Sequence, residues 1–509
     1  MTFEIVFVLL SLLGMVAALV ADKMRPGMIL FSVVVLFLCA GILTPKEMLE
    51  GFSNKGMITV ALLFLVSEGI RQSGTLGQVI KKLLPQGKTT VFKAQLRILP
   101  SVAFISAFLN NTPVVVIFAP IIKHWAKSVN LPATKFLIPL SYVTILGGIC
   151  TLIGTSTNLV VHGMILEAGF EGFSMFELGK VGIFIAIAGI IYIFLFSKRL
   201  LPDARPDTAV PDEEVEEGEK LHRVEAVLGA RFPGINKKLK DFNFQRHYGA
   251  EVKEIKTRNG QRFVTNLDDV VLHEGDTLVV MADDTFIPTW GESSVFVLLT
   301  NGNEPDTTGK KKRWFALLLL VLMIVGATVG ELPVTKEMFP DIKLDMFFFV
   351  SITTIIMAWT NLFPARKYTK YISWDILITI ACAFAISKAM VNSGVADSVA
   401  KFIIGLSDDY GPHVLLAMVF IITNLFTELI TNNAAAALAF PLALSISAQL
   451  GVSPTPFFVV ICMAASASFS TPIGYQTNLI VQGIGNYKFT DNIITFLISI
   501  ILIPLIWNF

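Results

Sequence analysis

The sequence predicts a polytopic α-helical membrane protein built from two inverted repeats, with a small soluble α/β domain inserted between them. Three observations lead to this fold class. Of the 509 residues, 54% are hydrophobic and only 16% are charged, a composition typical of membrane proteins. A polar motif within apolar sequence occurs twice, about 320 residues apart. A charged segment with short β-type runs separates the two copies.

The first polar motif, Asn110-Asn111-Thr112, interrupts an apolar segment. The apolar arms on either side, Ile98–Leu109 and Thr112–Ile122, would span only about 16–18 Å as helix, less than a hydrocarbon core of about 30 Å. We therefore predict a re-entrant hairpin over about 91–127 with its tip at the polar motif. A polar kink in an ordinary membrane span is the alternative.

The same pattern recurs in the second half of the chain. Ser106 aligns with Thr427 at an offset of 321, and Gly154 aligns with Gly474 at an offset of 320. Upstream serine and glycine residues match at the same spacing, so three matches occur in one order. This regularity indicates an internal repeat, and it predicts a second re-entrant hairpin over about 411–450.

The apolar segments and the composition define five predicted domains. They are a first membrane repeat (1–200), an acidic linker (201–222), a soluble domain (223–300, with a turn at 258–260), a basic linker (301–312) and a second membrane repeat (313–509, ending in a membrane segment at 493–507). Each repeat contains five transmembrane segments and one hairpin. Because five is odd and the soluble domain joins the repeats on one side, their topologies must be opposite. Inverted repeats with broken helices are typical of secondary transporters.

Basic residues predict the orientation in the membrane. Lysine and arginine are concentrated in 71–97, 198–199, 310–313 and 366–370, which the positive-inside rule assigns to the cytoplasm. The soluble domain is then cytoplasmic and both termini are extracytoplasmic. The first hairpin opens inward and the second outward, so that the tips meet near the midplane. We expect the protein in the plasma (inner) membrane of a prokaryote-type cell, with the lipid bilayer as its surroundings.

The two tips carry neutral groups that suit ions. Ser106 and Asn110 share a helix face, and their oxygens beside freed backbone carbonyls suit Na⁺. The side-chain amides of Asn111, Asn432 and Asn433 and the helix N-termini after the tips suit a small anion. Since neither tip contains arginine or lysine, a cotransported cation would supply the positive charge. For any single residue, hydrogen bonding between helices is the structural alternative.

Other function classes have little support in the sequence. The net charge of +1 argues against a nucleic-acid partner. The four cysteines lie in apolar segments without metal-ligand spacing, and no nucleotide-binding loop or nucleophile arrangement predicts an enzyme. Among ionisable residues in apolar sequence, Glu428 is the best candidate for a functional role because it adjoins the second tip.

The paired tips Asn110-Asn111-Thr112 and Thr431-Asn432-Asn433, together with Gly154–Asn158 and Gly474–Asn478, resemble the divalent anion/sodium symporter family of the ion transporter superfamily. The resemblance implies a homodimer that works as an elevator. It also implies sodium as the coupling ion, no organic cofactor, and a small anionic substrate such as sulfate or a dicarboxylate.

By motif position, the resemblance implies two sodium sites and one substrate site. The first sodium site would use Ser106, Asn110, Asn111 and Gly154, and the second would use Thr427, Thr431, Asn432 and Gly474. The substrate would lie among Asn111, Thr112, Thr155, Ser156, Asn432, Asn433, Tyr475 and Gln476.

The sequence departs from the family pattern at the tips and breaks. Asn110 and Asn433 replace residues of the family's Ser-Asn-Thr tip, and Tyr475-Gln476 stands where Thr-Pro is frequent. Ala434–Ala437 occupies positions that often bear hydroxyls in dicarboxylate carriers. These departures favour sulfate over a dicarboxylate. A proton-coupled anion transporter or a cation/proton antiporter is the other alternative, although the neutral tips argue against proton coupling.

The soluble domain resembles the TrkA-C or RCK-C regulatory domain of potassium-uptake proteins. The resemblance is carried by Ala226-Val227-Leu228, Gly234, Tyr248-Gly249 and Val271–Leu278. It implies a domain that dimerises and binds a small regulatory ligand, and a purely structural cap is the alternative.

Overall fold

The computed structural model describes residues 3–21, 24–203, 221–229, 231–257, 261–283, 286–290, 295–300, 309–405, 411–471, 474–485 and 487. Most of the predicted acidic and basic linkers, the predicted turn at 258–260 and the last predicted membrane segment at 493–507 lie outside these residues.

Ten helices make up the described part of residues 1–200. They are α1 (Phe3–Val20), α2 (Pro26–Cys39), α3 (Pro45–Glu50), α4 (Lys55–Gln72), α5 (Thr75–Leu83), α6 (Val91–Ser106), α7 (Asn111–Ser128), α8 (Leu137–Gly148), α9 (Ser156–Glu167) and α10 (Gly179–Leu200). Helices α6 and α7 flank the first polar motif. An unwound stretch at 149–155 separates α8 from α9.

The soluble segment forms a five-stranded antiparallel sheet with two short helices. Its elements are β1 (His222–Leu228), α11 (Phe244–Tyr248), β2 (Glu251–Lys256), β3 (Arg262–Phe263), β4 (Thr277–Ala282), α12 (Phe286–Trp290) and β5 (Phe296–Thr300), with the strand order β3-β2-β4-β1-β5. Because side chains alternate along a strand, β1 contributes to two cores. Val224, Ala226 and Leu228 face the core of this domain, whereas Val227 belongs to the core of the membrane helices.

Ten further helices follow the soluble segment within the described residues. They are α13 (Lys310–Gly330), α14 (Pro333–Met338), α15 (Met346–Trp359), α16 (Tyr368–Tyr371), α17 (Trp374–Asn392), α18 (Val395–Gly405), α19 (Gly411–Leu429), α20 (Asn432–Leu450), α21 (Thr455–Ser466) and α22 (Gln476–Gly485). Seven helical segments among the described residues are long and apolar enough to cross a membrane. The mostly helical, apolar architecture predicted from composition is thus confirmed.

The arms around the two tips are longer than the apolar runs suggested. Helix α6 has 16 residues, α7 has 18, and α19 and α20 have 19 each, about 24–28 Å of helix. The estimate from apolar runs was too short because each helix continues into polar sequence, as α7 does beyond Ile122 to Ser128. The lengths alone therefore do not make these arms too short to cross a bilayer.

The tips break at residues with extended backbone. Asn110 has φ −55° and ψ 140°, and Thr431 has φ −70° and ψ 147°, so neither continues the preceding helix. Pro113 lies in the first turn of α7, where its missing N–H leaves no intrahelical bond unmade. Thr431 caps α20, since its Oγ1 accepts a hydrogen bond from the Ala434 amide at 3.4 Å.

The helix that follows each tip packs against a helix of the other half. Helix α7 packs against α22, and α20 packs against α9. Within each half the pattern also repeats, since α6 packs against α8 and α19 packs against α21. This packing brings the first tip to the break before α22 and the second tip to the break before α9.

Candidate functional site

The first tip contacts the second helix break through two side-chain pairs. The amide of Asn111 lies 2.5 Å from the hydroxyl oxygen of Tyr475, and Thr112 Oγ1 donates to Gln476 Oε1 at 3.2 Å. Asn111 and Tyr475 are buried. These pairs join residues 364 positions apart in the chain, and both belong to the predicted substrate set.

The second tip contacts the first helix break in the corresponding way. The hydroxyls of Ser156 and Thr157 each lie 3.4 Å from Asn433 Oδ1. Tyr475 connects the two tip–break contacts, because its hydroxyl lies 3.1 Å from Thr155 Oγ1. Seven of the eight predicted substrate residues therefore form one polar cluster. The eighth, Asn432, is bonded to Thr427 one turn earlier.

Oxygens of the first half converge on one end of the Asn111 amide. That end lies 2.9 Å from Ser106 Oγ, 3.1 Å from the Thr144 carbonyl oxygen and 3.2 Å from the Gly154 carbonyl oxygen. We call these three oxygens the first oxygen cluster. Gly148 has to be glycine here, because a Cβ at that position would lie 2.5 Å from the amide. The sequence predicted Ser106, Asn111 and Gly154, but Thr144 was missed because it contributes only backbone.

Asn110, the fourth residue of the predicted first sodium site, is placed differently. It lines a small cavity of about 10 Å³ together with Ser67, Ser156 and apolar side chains of α4 and α13. A cavity of this size holds about one water molecule. Asn110 thus borders the polar cluster from another side, and the sequence reasoning did not include Ser67 in the site.

The second half contains an equivalent arrangement of oxygens. Thr427 Oγ1 lies 3.1 Å from Asn432 Oδ1 and 2.6 Å from the Ala465 carbonyl oxygen. We call these three oxygens the second oxygen cluster. Gly474 lies beside it, because a Cβ at Gly474 would be 3.0 Å from the Thr427 carbonyl oxygen. Ala465 was missed from sequence for the same reason as Thr144.

Two asparagines donate hydrogen bonds to backbone carbonyls at the helix breaks. Asn158 Nδ2 donates to the Gly148 and Thr151 carbonyls at 3.4 and 2.8 Å. Asn478 Nδ2 donates to the Ser468 and Thr471 carbonyls at 2.8 and 3.4 Å. These bonds satisfy carbonyls that a continuous helix would have paired. The signal was in the sequence, since the two asparagines match at the repeat offset of 320.

Glu428 serves as an acceptor for the backbone of the second break. Its Oε1 accepts from the Ser470 amide at 3.0 Å, and its Oε2 accepts from the Thr471 amide at 3.0 Å and the Thr471 hydroxyl at 2.8 Å. The carboxylate therefore joins the end of α19 to the unwound stretch before α22. This geometry gives Glu428 a positioning role, because hydrogen-bond donors occupy both of its oxygens.

The soluble domain is attached to the two helices that carry the first tip and the second break. Lys123 Nζ on α7 lies 2.9 and 3.0 Å from the carboxylate oxygens of Glu225 on β1, and Lys256 Nζ lies 3.4 Å away. Burial by itself raises the pKa of Glu225, but the two ammonium groups outweigh it and hold the pKa at about 2. On α22, a Cβ at Gly483 would lie 2.5 Å from Thr277 Oγ1 of β4, so the two backbones approach closely.

Comparison with known proteins identifies the family of this chain. The family CitMHS, described as citrate transporter, matches residues 16–449 and 338–509. An uncharacterized transporter of Synechocystis sp. is 29% identical over 90% of this chain and 89% of its own length. Sodium/sulfate cotransporter 1 of Chlamydomonas reinhardtii is 33% identical over 56% of this chain and 32% of its own length. A sodium-dependent dicarboxylate transporter of Staphylococcus saprophyticus is 28% identical over 23% of each chain.

These matches confirm the resemblance to sodium-coupled divalent-anion transporters at the level of the family. They say nothing of the TrkA-C resemblance of the soluble domain, which stays a prediction. The family match extends over both halves of the chain, and seven of the described helical segments have the apolar length that a membrane protein requires. The chain is a membrane transporter and belongs to the CitMHS citrate transporter family.

Proposed function

We propose that the protein is a sodium-coupled symporter of a small divalent anion, with sulfate preferred over dicarboxylates. The observation that carries this proposal is the convergence of four helix N-termini on one polar cluster. Helices α7, α9, α20 and α22 begin at Asn111, Ser156, Asn432 and Gln476. Each N-terminus presents unpaired amide N–H groups and about half a positive charge. Such an arrangement binds an anion without arginine or lysine.

The side chains around these N-termini add hydrogen-bond donors. The hydroxyls of Thr155 and Tyr475 form one pair, and the hydroxyl of Ser156 and the amide of Asn433 form a second pair next to it in the sequence. At the starts of α7 and α9, neither Asn110 nor Thr155 caps the helix with its side chain, which leaves the first amide N–H groups of those helices free for a ligand. A compact oxyanion accepts hydrogen bonds on all sides, so this set of donors suits it.

The two oxygen clusters supply the complementary sites for cations. The first combines a hydroxyl with two backbone carbonyls, and the second combines a hydroxyl, a side-chain amide oxygen and one backbone carbonyl. Carbonyls at helix C-termini carry partial negative charge and coordinate Na⁺ at helix breaks. Two monovalent cations would neutralise one divalent anion, which explains how an anion is held in apolar surroundings by uncharged side chains.

Sulfate is favoured over a dicarboxylate because Tyr475 occupies the space between the first tip and the first helix break. Its hydroxyl bridges Asn111 and Thr155, and the side chain is buried. The residue in the matching position of the first half is the smaller Thr155. The name of the Chlamydomonas relative also supports sulfate. The family description and the name of the Staphylococcus relative favour citrate or a dicarboxylate, which is the second candidate.

We further propose that the halves have opposite topology and that the protein is a homodimeric elevator. The exchange of partners, α7 with α22 and α20 with α9, is the packing that a two-fold axis in the membrane plane generates. In such an elevator, the part that moves across the membrane would contain both tips and both breaks. The soluble domain contacts this unit through Lys123 and Gly483, so a regulatory ligand bound to the soluble domain could act on transport directly.

Uptake into proteoliposomes tests the function. Labelled sulfate, succinate and citrate are compared with an inward sodium gradient and with choline in its place. We expect sodium-dependent sulfate uptake, with weaker uptake of the carboxylates. Asn111→Ala and Asn432→Ala should abolish uptake without loss of folded protein, because each amide lies at one of the two proposed cation sites. Uptake that proceeds equally in choline would refute sodium coupling.

A further inference from the structure

We propose that the side-chain amide of Asn111 couples the cation to the anion by reversing its orientation when a cation enters the first oxygen cluster. The proposal rests on the proposed function, since it assigns the coupling step to one residue of that site. Asn111 is buried and lies between the oxygen cluster on one side and Tyr475 on the other.

The ion-free orientation follows from the chemistry of the first oxygen cluster. The carbonyl oxygens of Thr144 and Gly154 only accept hydrogen bonds, and they lie 3.1 and 3.2 Å from the near end of the amide. Without an ion, the group at that end must be Nδ2, whose two hydrogens are shared among these carbonyls and Ser106 Oγ, which lies 2.9 Å away. An amide oxygen in the same place would face two carbonyl lone pairs with no proton between them.

A cation among these oxygens reverses the preference. A cation is bound by lone pairs and repelled by N–H groups, so Oδ1 has to replace Nδ2 and becomes a fourth oxygen ligand. The two ends of an amide are nearly equal in size, and the terminal torsion of asparagine is roughly two-fold. The slot beside Gly148, where a Cβ would lie 2.5 Å from the amide, therefore allows the ends to exchange without displacement of the side chain.

The reversal changes what Tyr475 does with its proton. In the ion-free orientation the Tyr475 hydroxyl donates to Asn111 Oδ1 at 2.5 Å. In the proposed cation-bound orientation Nδ2 would face the Tyr475 oxygen and donate to it, so the Tyr475 hydroxyl could no longer donate to Asn111. The Tyr475 proton is then released toward the side of Thr155, whose Oγ1 lies 3.1 Å away. Cation binding thus adds an O–H donor beside the N-termini of α9 and α22, where the anion is proposed to bind.

The second half has no equivalent of this amide reversal. Asn432 already directs Oδ1 toward Thr427 Oγ1 at 3.1 Å. Thr155, at the position matching Tyr475, has a shorter side chain and bonds to Tyr475 itself. We therefore assign the coupling to Asn111 and Tyr475 alone, and the second oxygen cluster is a cation site without a switch.

Solid-state NMR on protein in lipid tests the reversal directly. The protein carries ¹⁵N in asparagine side chains and ¹³C at the tyrosine ring carbon that bears the hydroxyl. With sodium, we expect a dipolar contact between the Asn111 side-chain nitrogen and the Tyr475 ring carbon. In choline the contact should weaken, because Nδ2 then faces Ser106. Tyr475→Phe, which removes the labelled tyrosine, assigns the signal. A contact of equal strength in sodium and choline overturns the proposal.

Calorimetry of sulfate binding tests the consequence for coupling. In the wild type, saturating sodium should tighten sulfate binding at least about 5-fold, the lower end of usual coupling factors. In Tyr475→Phe the factor should fall below about 2-fold, because this variant has no hydroxyl proton to turn toward Thr155 when the cation binds. Tyr368→Phe is the control, since Tyr368 is exposed and distant from both tips in the sequence. An unchanged factor in Tyr475→Phe overturns the switch even if sodium-driven uptake is intact, whereas absence of sodium-dependent uptake refutes the proposed function instead.

Discussion

The carboxylate of Glu225 should decide how firmly the soluble domain is held against the membrane helices. It lies between Lys123 of α7 and Lys256 of β2 and is largely buried, with 15% of its side chain exposed. Glu225→Gln keeps the shape of the side chain and removes its charge. The Lys123 ammonium then loses the carboxylate that joins it to the soluble domain and faces a second ammonium, that of Lys256. We expect the docked arrangement to weaken while the strand itself remains in its sheet.

The magnitude follows from the lowered pKa. The pKa of Glu225 falls from 4.5 to about 2, because Lys123 and Lys256 outweigh the effect of burial. At 1.36 kcal/mol for each pKa unit, the ionised form is favoured by about 3 kcal/mol in the folded protein. Since the folded-state pKa is the lower one, this contribution is complete above about pH 4.5 and is lost as the pH falls toward 2. At neutral pH it is fully present.

Thiol labelling measures the docking. In a background without the four native cysteines, Thr277→Cys places a thiol on the buried face of β4 opposite Gly483. Only the share of the about 3 kcal/mol that comes from Lys123 holds the domain against α7, because Lys256 lies in the domain itself, so labelling at pH 7 should speed up by less than about 100-fold. Glu251→Gln is the matched control, because Glu251 is on the same domain but pairs only at the surface with Lys253. Equal labelling rates in Glu225→Gln and Glu251→Gln would show that the charge does not hold the domain in place.

Three further predictions concern the site and the topology. Ser106→Ala and Thr427→Ala each remove one oxygen ligand, at a cost of about 1–3 kcal/mol. The sodium concentration for half-maximal uptake should therefore rise about 5- to 150-fold, and high sodium should restore transport. A transport defect that does not respond to sodium concentration would contradict the cation assignment. Cysteines at Lys240 and Ser453, both exposed, should react with an impermeant reagent from opposite faces, and labelling from one face would refute the inverted topology. Tyr475→Thr should increase succinate uptake relative to sulfate in competition assays, and an unchanged ratio would remove Tyr475 from substrate selection.

Local sequence was sufficient for the class of protein and for the position of its polar interruptions. Asn110-Asn111-Thr112 predicted a break in the apolar helix, because asparagine and threonine are weak helix formers and favour helix starts, and α7 does begin at Asn111. The same reasoning applied at the repeat offset located the second tip at Thr431. Length was less predictable, since the apolar run of α7 ends at Ile122 while the helix continues to Ser128. Whether a helix residue is apolar or polar depends on what surrounds it, so a change from apolar to polar residues does not mark the end of the helix.

Only the tertiary structure decided which groups meet. The pair of Asn111 and Tyr475 joins residues 364 positions apart, and no local periodicity encodes such a contact. The carbonyl oxygens of Thr144 and Ala465 were invisible to sequence reasoning, because every residue has a carbonyl and only the path of the chain determines which one faces the site. The attachment of β1 to α7 through Glu225 likewise depends on how the sheet packs on the membrane helices. The sequence by itself determined the chemical groups available, and packing between the two halves determined their arrangement, since contacts between distant segments form only when the whole chain has folded.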